Sequence, residues 1–264
     1  MGTEASAPPA RALPARRPGR PRWWRARFAL CAVAVTPLLR WGVTSLAVPA
    51  GQPPRRTCPA CDTTFGLGPR ADVGALMPTG RCRECGARIG PPPYTVEAAA
   101  LVLAAVLVAA GLRGWELAAY TWWTALALVL SLVDIAVQRL PNRLVILAVA
   151  GFLILTTPPA LAGRHADWVR AAVSGVALAA ILAVLAFIPA TGLGLGDAKF
   201  ALAVGAAAGW ISMFAAIAAV FCAFLALALL GGGLIAARRA SWRTHVPFGP
   251  FLAAATLAAV VVLR

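Results

Sequence analysis

From Tyr94 onward the chain leaves little room for anything but helices that cross a membrane. Apolar runs follow one another at 94–112, 115–137, 144–162, 168–190, 198–236 and 247–263, and all but one are near the roughly 20 residues that carry an α-helix across a bilayer core. In lipid every backbone N–H and C=O must find its partner inside the protein, and a helix does this within its own segment. The exception, 198–236, is too long for one span and too apolar for a loop. Gly209-Trp210-Ile211-Ser212 marks a hairpin that splits it and sets Asp197 at the start of the first half. An earlier stretch, 28–50, is apolar but carries Thr36, Pro37 and Arg40 near its centre, so it either spans or lies in the interface. The expected fold is therefore an all-α polytopic membrane protein with seven or eight transmembrane helices.

Charge orients these helices. Against nine acids stand 23 arginines and a single lysine, Lys199, and the arginines fall between the apolar runs. This pattern suits cytoplasmic loops facing anionic lipid. It does not suit nucleic acid, since no basic stripe interleaved with aromatics lies on a soluble domain. Arg139 and Arg143 flank one loop, and Arg238, Arg239 and Arg243 occupy another. With both loops cytoplasmic, the 191–197 segment, the polar insert at 51–93, Asp134 and Asp197 all reach the same side. Residues 1–27, rich in Pro, Ala and Arg, read as a disordered basic tail that is retained rather than cleaved as a signal. That tail lies outside if 28–50 spans, and inside if it does not.

The insert holds Cys58-x2-Cys61, then twenty residues, then Cys82-x2-Cys85. Two CxxC turns can each present two thiolates to one tetrahedral zinc, and a reducing cytoplasm disfavours the alternative of two disulfides. Four cysteine ligands close the coordination sphere, so the expected Zn2+ is structural and staples a segment too short to fold well alone. Cys31 and Cys222 sit in apolar runs and read as packing residues.

Two acids lie at the edges of apolar runs. Asp134 precedes Leu140-Pro141-Asn142, where the proline halts the helix, and taken alone it could simply pair with Arg139 or Arg143. Asp197 follows Gly192-x-Gly194-x-Gly196, whose alternate glycines resist helix and let another backbone come close. A phosphate cradle is excluded by the missing strand, the missing GK[ST] ending and the acid itself. Two facing carboxylates can share a proton, one taking a proton from water while the other polarises a peptide carbonyl. That is peptide hydrolysis by an aspartic dyad, and an ion pathway or a non-catalytic scaffold is the competing use of the same acids.

Four segments together resemble the type IV prepilin peptidases, membrane aspartic proteases of the GxGD type: Asp134-x5-Leu140-Pro141-Asn142, Gly194-x-Gly196-Asp197-x-Lys199, Pro247-Phe248-Gly249-Pro250-Phe251 and the paired CxxC insert. The resemblance implies leader cleavage from prepilin or pseudopilin precursors on the cytoplasmic face of a bacterial cell membrane. It makes Asp134 and Asp197 the catalytic pair, Gly194, Gly196 and Lys199 the substrate loop, and the four cysteines the zinc site. Many members also N-methylate the new terminus with S-adenosylmethionine. This chain reads Thr44-Ser45-Leu46-Ala47-Val48-Pro49 where the family usually reads SFLNVVxxRLP, which leaves a bifunctional enzyme as an alternative.

Other residues carry two readings. Glu97 either complements its helix dipole or serves the insert or methylation side, and Lys199 is either a snorkelling anchor or a charge that tunes Asp197. The nine tryptophans mostly read as interfacial anchors, and His165 and His245 as solvated.

Overall fold

The computed structural model describes residues 23–49, 51–69, 71–188, 193–239, 241 and 246–264. Most of the expected basic tail, together with Gly192, Trp242 and His245, lies outside the described residues. These form nine α-helices, with only isolated bridges between extended residues in the insert. They are α1 (Trp23–Ala34), α2 (Thr36–Leu46), α3 (Thr95–Ala109), α4 (Gly114–Val137), α5 (Asn142–Pro159), α6 (His165–Ala186), α7 (Leu195–Ile211), α8 (Met213–Ala236) and α9 (Gly249–Leu263).

The helix breaks follow from local chemistry. Pro37 falls in the first turn of α2, where a missing N–H costs nothing, so α1 and α2 run on as one apolar stretch, Trp23–Leu46, long enough to cross a membrane. Helix starts at Trp23, inside the stretch expected to be tail, and the Arg27 guanidinium lies 4.5 Å from the Trp23 ring centroid. Between α5 and α6, Pro158 and Pro159 withdraw two donors and Gly163 takes a φ of 104°. The chain folds back there, because Trp168 Nε1 donates to Leu153 O at 3.0 Å, whereas fifteen residues of unbroken helix would span about 22 Å. The hairpin expected after Gly209 is at Ser212, which is extended and whose hydroxyl accepts from Ala215 N at 2.9 Å to cap α8.

Four stretches among the described residues are long and apolar enough to cross a membrane: Trp23–Leu46, Gly114–Val137, the folded-back Asn142–Ala186, and Met213–Ala236. The outward faces of α5, α6 and α8 carry Ile154, Val184, Phe214, Phe221 and Leu229, each about two-thirds exposed. Lipid is the solvent such a surface requires.

At the centre lies α7, wrapped by α4, α5, α6, α8 and α9. Its contact with α6 is made possible by glycine: a Cβ on Gly205 would stand 2.5 Å from Ser174 O, and one on Gly175 would stand 2.8 Å from Leu202 O. Small residues at a membrane helix interface let backbones approach this closely. On the other side Trp123 and Tyr120 of α4 donate to Ala203 O (2.8 Å) and Ala207 O (2.6 Å) of α7, and the Trp123 ring stacks on Phe200. Trp123 and Trp210 are fully buried, which corrects their reading as interfacial anchors. Cys31 and Cys222 are exposed on the apolar exterior, not packed inside.

Away from both aspartates, the other helix ends are tied by charge. Arg164 pairs with Glu116 and with Asp167 (2.5 Å), Arg170 with Asp167 (2.8 Å), and Arg264 with Glu116 (2.5 Å). Trp210 Nε1 also donates to Glu116 at 3.0 Å. The starts of α4 and α6 and the ends of α7 and α9 thus meet at one level, and the opposite ends of these helices form the other face.

Candidate active site and four-cysteine centre

Asp134 lies in the last turn of α4, which ends on Gln138 in a left-handed conformation (φ 49°). Its residue is 5% exposed, and its Oδ2 accepts from Gly249 N, the first residue of α9, at 2.9 Å. Glycine is needed there, since a Cβ would stand 2.9 Å from that same oxygen. The Pro247–Phe251 motif therefore acts on the first aspartate through one backbone N–H. Arg139 bonds instead to Val48 O and Pro49 O at the end of α2 (3.5 and 3.1 Å). Among the described residues Asp134 forms no ion pair with Arg139 or Arg143, so simple charge pairing does not account for it.

Asp197 is the third residue of α7, and its Oδ2 accepts from Gly194 N at 3.1 Å. An acid at this position reaches back to the donor that the helix start leaves unsatisfied. Gly194 is exposed and Gly196 half-buried, and a Cβ on Gly196 would rest 3.4 Å from Leu140 Cβ. The Leu140-Pro141-Asn142 turn thus seats on the glycine loop, and Lys199 Nζ donates to Asn142 Oδ1 at 3.1 Å. These contacts bring the end of α4 that carries Asp134 to the start of α7 that carries Asp197. Two motifs more than fifty residues apart in the chain, with a third from α9, therefore converge on one membrane-edge site.

The four cysteines also converge. Cys58, Cys61, Cys82 and Cys85 bring their sulfurs within 4.8 Å of one another, with Cys58 to Cys85 at 3.7 Å and Cys61 to Cys82 at 3.6 Å. A tetrahedral ion with bonds of about 2.3 Å to sulfur has S to S edges of about 3.8 Å, so the donor set fits a metal. Thr63, through its hydroxyl and then its backbone N–H, pulls the Cys61 thiol down to about 6. Asp72 ties the two knuckles together, its backbone N donating to Thr64 O (2.8 Å) beside the first and its carboxylate accepting from Arg83 N (2.9 Å) of the second as well as from Gly74 N (2.7 Å). Burial pushes its carboxyl up, but these backbone donors hold it below the usual range.

The insert was one of the two uses that sequence reading gave Glu97, but Arg40, which joins the two, was missed. Arg40 is wholly buried in α2 and forks onto Glu97 of α3, with Nε to Oε1 at 3.3 Å and Nη2 to Oε2 at 2.9 Å. Its remaining donors reach Pro91 O (3.2 Å), Pro78 O (3.1 Å) and Pro92 O (3.4 Å) of the insert. An arginine in an apolar run is costly enough to suggest a partner by itself, and Glu97 was the acid on hand.

A polytopic helical protein with two carboxylates at one end of its bundle and a four-thiol knuckle in the insert before α3 has the make-up of a membrane peptidase. Comparison with known proteins gives the family. The model of the type IV leader peptidase family matches residues 121–263. A prepilin leader peptidase/N-methyltransferase of Bacillus subtilis is 31% identical over 210 residues, covering 78% of this chain and 81% of its own. Proteins of the same name from Aeromonas salmonicida (30% identical; 76% and 69% covered) and Burkholderia pseudomallei (32%; 76% and 65%) are also similar. No solved structure gives a significant match. The chain belongs to the type IV leader peptidase family and is a membrane-embedded peptidase.

Proposed function

We propose that this peptidase removes the leader from type IV prepilin-like or pseudopilin precursors at the cytoplasmic face of the bacterial cell membrane, with Asp134 and Asp197 as the catalytic pair. The observation that carries this reading is the convergence of Asp134, the Gly194–Asp197 turn and the Gly249 N–H on one site. One carboxylate takes a proton from water as its oxygen attacks the scissile carbonyl carbon. The protonated partner hydrogen-bonds the carbonyl oxygen, and the amine leaves with a proton when the C–N bond breaks. The open glycine edge gives the substrate's extended backbone room beside Asp197. The arginine-bearing loops put the helix ends that carry both aspartates, the glycine turn and the insert at the cytoplasm, and Trp23–Leu46, long and apolar enough to cross, is the first of eight passes.

Zinc is the metal that suits four closely spaced thiolates. Bound by Cys58, Cys61, Cys82 and Cys85 it has no open position, and it supplies a structural staple rather than chemistry. In Thr44–Pro49, where the chain departs from the family's usual pattern, both hydroxyls are already committed as donors. The Thr44 hydroxyl is spent on Arg40 O (2.7 Å) and Ser45 Oγ on Gly42 O (3.2 Å), both within α2. Methylation is nevertheless named in the relatives, and one assay separates the two readings. Co-expression with a candidate precursor, followed by mass measurement of the mature terminus, should show cleavage without the added mass of about 14 Da that a methyl group brings. Asp134→Asn and Asp197→Asn should each abolish cleavage while the protein stays in the membrane, and full activity in either would sink the dyad.

A further inference from the structure

Beside the catalytic turn, on the side of α7 that faces α5 and α6, the structure has an open groove of about 610 Å³. Its walls are Ile146 of α5, Val176, Ala180 and Ala183 of α6, and Leu195 and Leu202 of α7. The alanines are what make it a trough, since α5 and α6 both lean on α7 and small side chains fail to fill the space between them. Ile146 and Val176 are each 62% exposed, so the groove opens toward lipid rather than toward the bundle core.

One end of the groove is polar. Lys199 and Asn142 line it there, level with the start of α7 and hence with the cytoplasmic headgroups. Lys199 is exposed, and among the described residues its only polar partner is the neutral Asn142 Oδ1 at 3.1 Å. Because Asn142 accepts through its oxygen, its amide N–H groups remain to donate. An apolar trough ended by one uncompensated ammonium and one amide donor complements an amphiphile with an anionic head. We infer that this groove is a binding site for an anionic phospholipid, its phosphate held by Lys199 and Asn142 and one acyl chain lying along α6 between α5 and α7. The head group would then lie beside the turn that carries Asp197, which gives membrane composition a route to the catalytic loop.

The test reads lipid rather than peptide cleavage, so it stands apart from the proposed function. The full chain is reconstituted in nanodiscs of phosphatidylcholine and phosphatidylglycerol, released, and its retained lipid weighed by native mass spectrometry. The wild-type protein should keep one phosphatidylglycerol, enriched about fivefold over its share of the bilayer, the preference that one lysine near an anionic surface confers. Lys199→Gln should return that ratio to the bulk value, and Ala180→Trp, which fills the trough and leaves the charge, should lower retention of either lipid. Equal retention by all three proteins overturns the site. A photo-reactive residue at Ala180 that captures a precursor protein instead of phospholipid would also overturn it, and would give the groove to the substrate's apolar segment.

Discussion

The buried Arg40 and Glu97 pair offers the sharpest test of how the cysteine insert is held to the membrane helices. Glu97→Gln keeps the side-chain shape but removes the charge, and it leaves a guanidinium with no exposed surface facing only carbonyl oxygens and an amide. Breaking a buried pair from one side costs about 3–5 kcal/mol. The three proline carbonyls, joined by the glutamine oxygen, still accept from Arg40, so the lower end of that range, about 3 kcal/mol, is expected. Arg40→Met should cost a similar amount for a different reason, since it strands Glu97 and releases Pro78, Pro91 and Pro92. The double variant, Arg40→Met with Glu97→Leu, leaves no orphaned charge and should be more stable than either single variant, by about 1–3 kcal/mol. Its insert, however, has lost its anchor, and the metal should leave it faster. The assay is a denaturant titration in micelles followed by tryptophan fluorescence, with metal release timed against a chelator. A Glu97→Gln cost below about 1 kcal/mol, the range of an exposed pair, would refute the reasoning. So would a double variant less stable than either single.

Three further outcomes follow from particular contacts. Gly249→Ala places a Cβ 2.9 Å from Asp134 Oδ2, and cleavage should fall by at least about tenfold at nearly unchanged stability, since a misplaced catalytic group costs rate steeply; wild-type turnover would contradict the Gly249 contact. Gly205→Val must push apart the backbones of α6 and α7, where even a Cβ meets Ser174 O at 2.5 Å, and should destabilise by roughly 3 kcal/mol or more, read as a lowered melting temperature in detergent. Elemental analysis should find about one zinc per chain, and Cys58→Ser should lose it and lower the melting temperature; a metal-free wild-type protein with the same melting point would remove the staple.

Much of the site was legible because its signals are local. Proline at 141, glycines at 194 and 196, and an acid three positions into a helix announce a turn and a helix start whatever surrounds them, and CxxC spacing carries its own geometry. The hairpin at Ser212 was legible for the same reason, as a polar residue after glycine and tryptophan in a run too long to be one span. What stayed hidden depends on partners far along the chain. Arg40 looked like a defect in a membrane segment because its acceptors lie 38 to 57 residues away. Trp123 and Trp210 looked like belt residues because nothing local says that their indoles reach Ala203 O and Glu116. The ion pairs joining Glu116, Arg164, Asp167, Arg170 and Arg264 were likewise invisible, each residue reading as an ordinary helix-end charge until the fold set them at one level.

These two sets of contacts divide the labour of the fold. Ion pairs and the close passage of α6 along α7 fix the end away from the aspartates, where Arg170 also takes Gly209 O, Trp210 O and Ile211 O at the end of α7 (2.8, 2.8 and 3.2 Å). At the other end α7 begins in a glycine turn that rests on Leu140, with Gly194 N donating to Asp197 Oδ2, Gly194 O accepting from Asp197 N and Ala198 N, and Lys199 donating to Asn142. On the proposed reading an extended peptide lies beside that turn, where Gly194 is exposed. The fixed partner is Asp134, buried in the last turn of α4 and tied to α9 by the Gly249 N–H. In the proposed dyad the second carboxylate sits in the first turn of α7, where Gly196 packs on Leu140 and Gly194 N bonds Asp197 Oδ2, so the two glycines set its position. For that reason substitutions at Gly194 and Gly196 are expected to slow turnover far more than they lower stability.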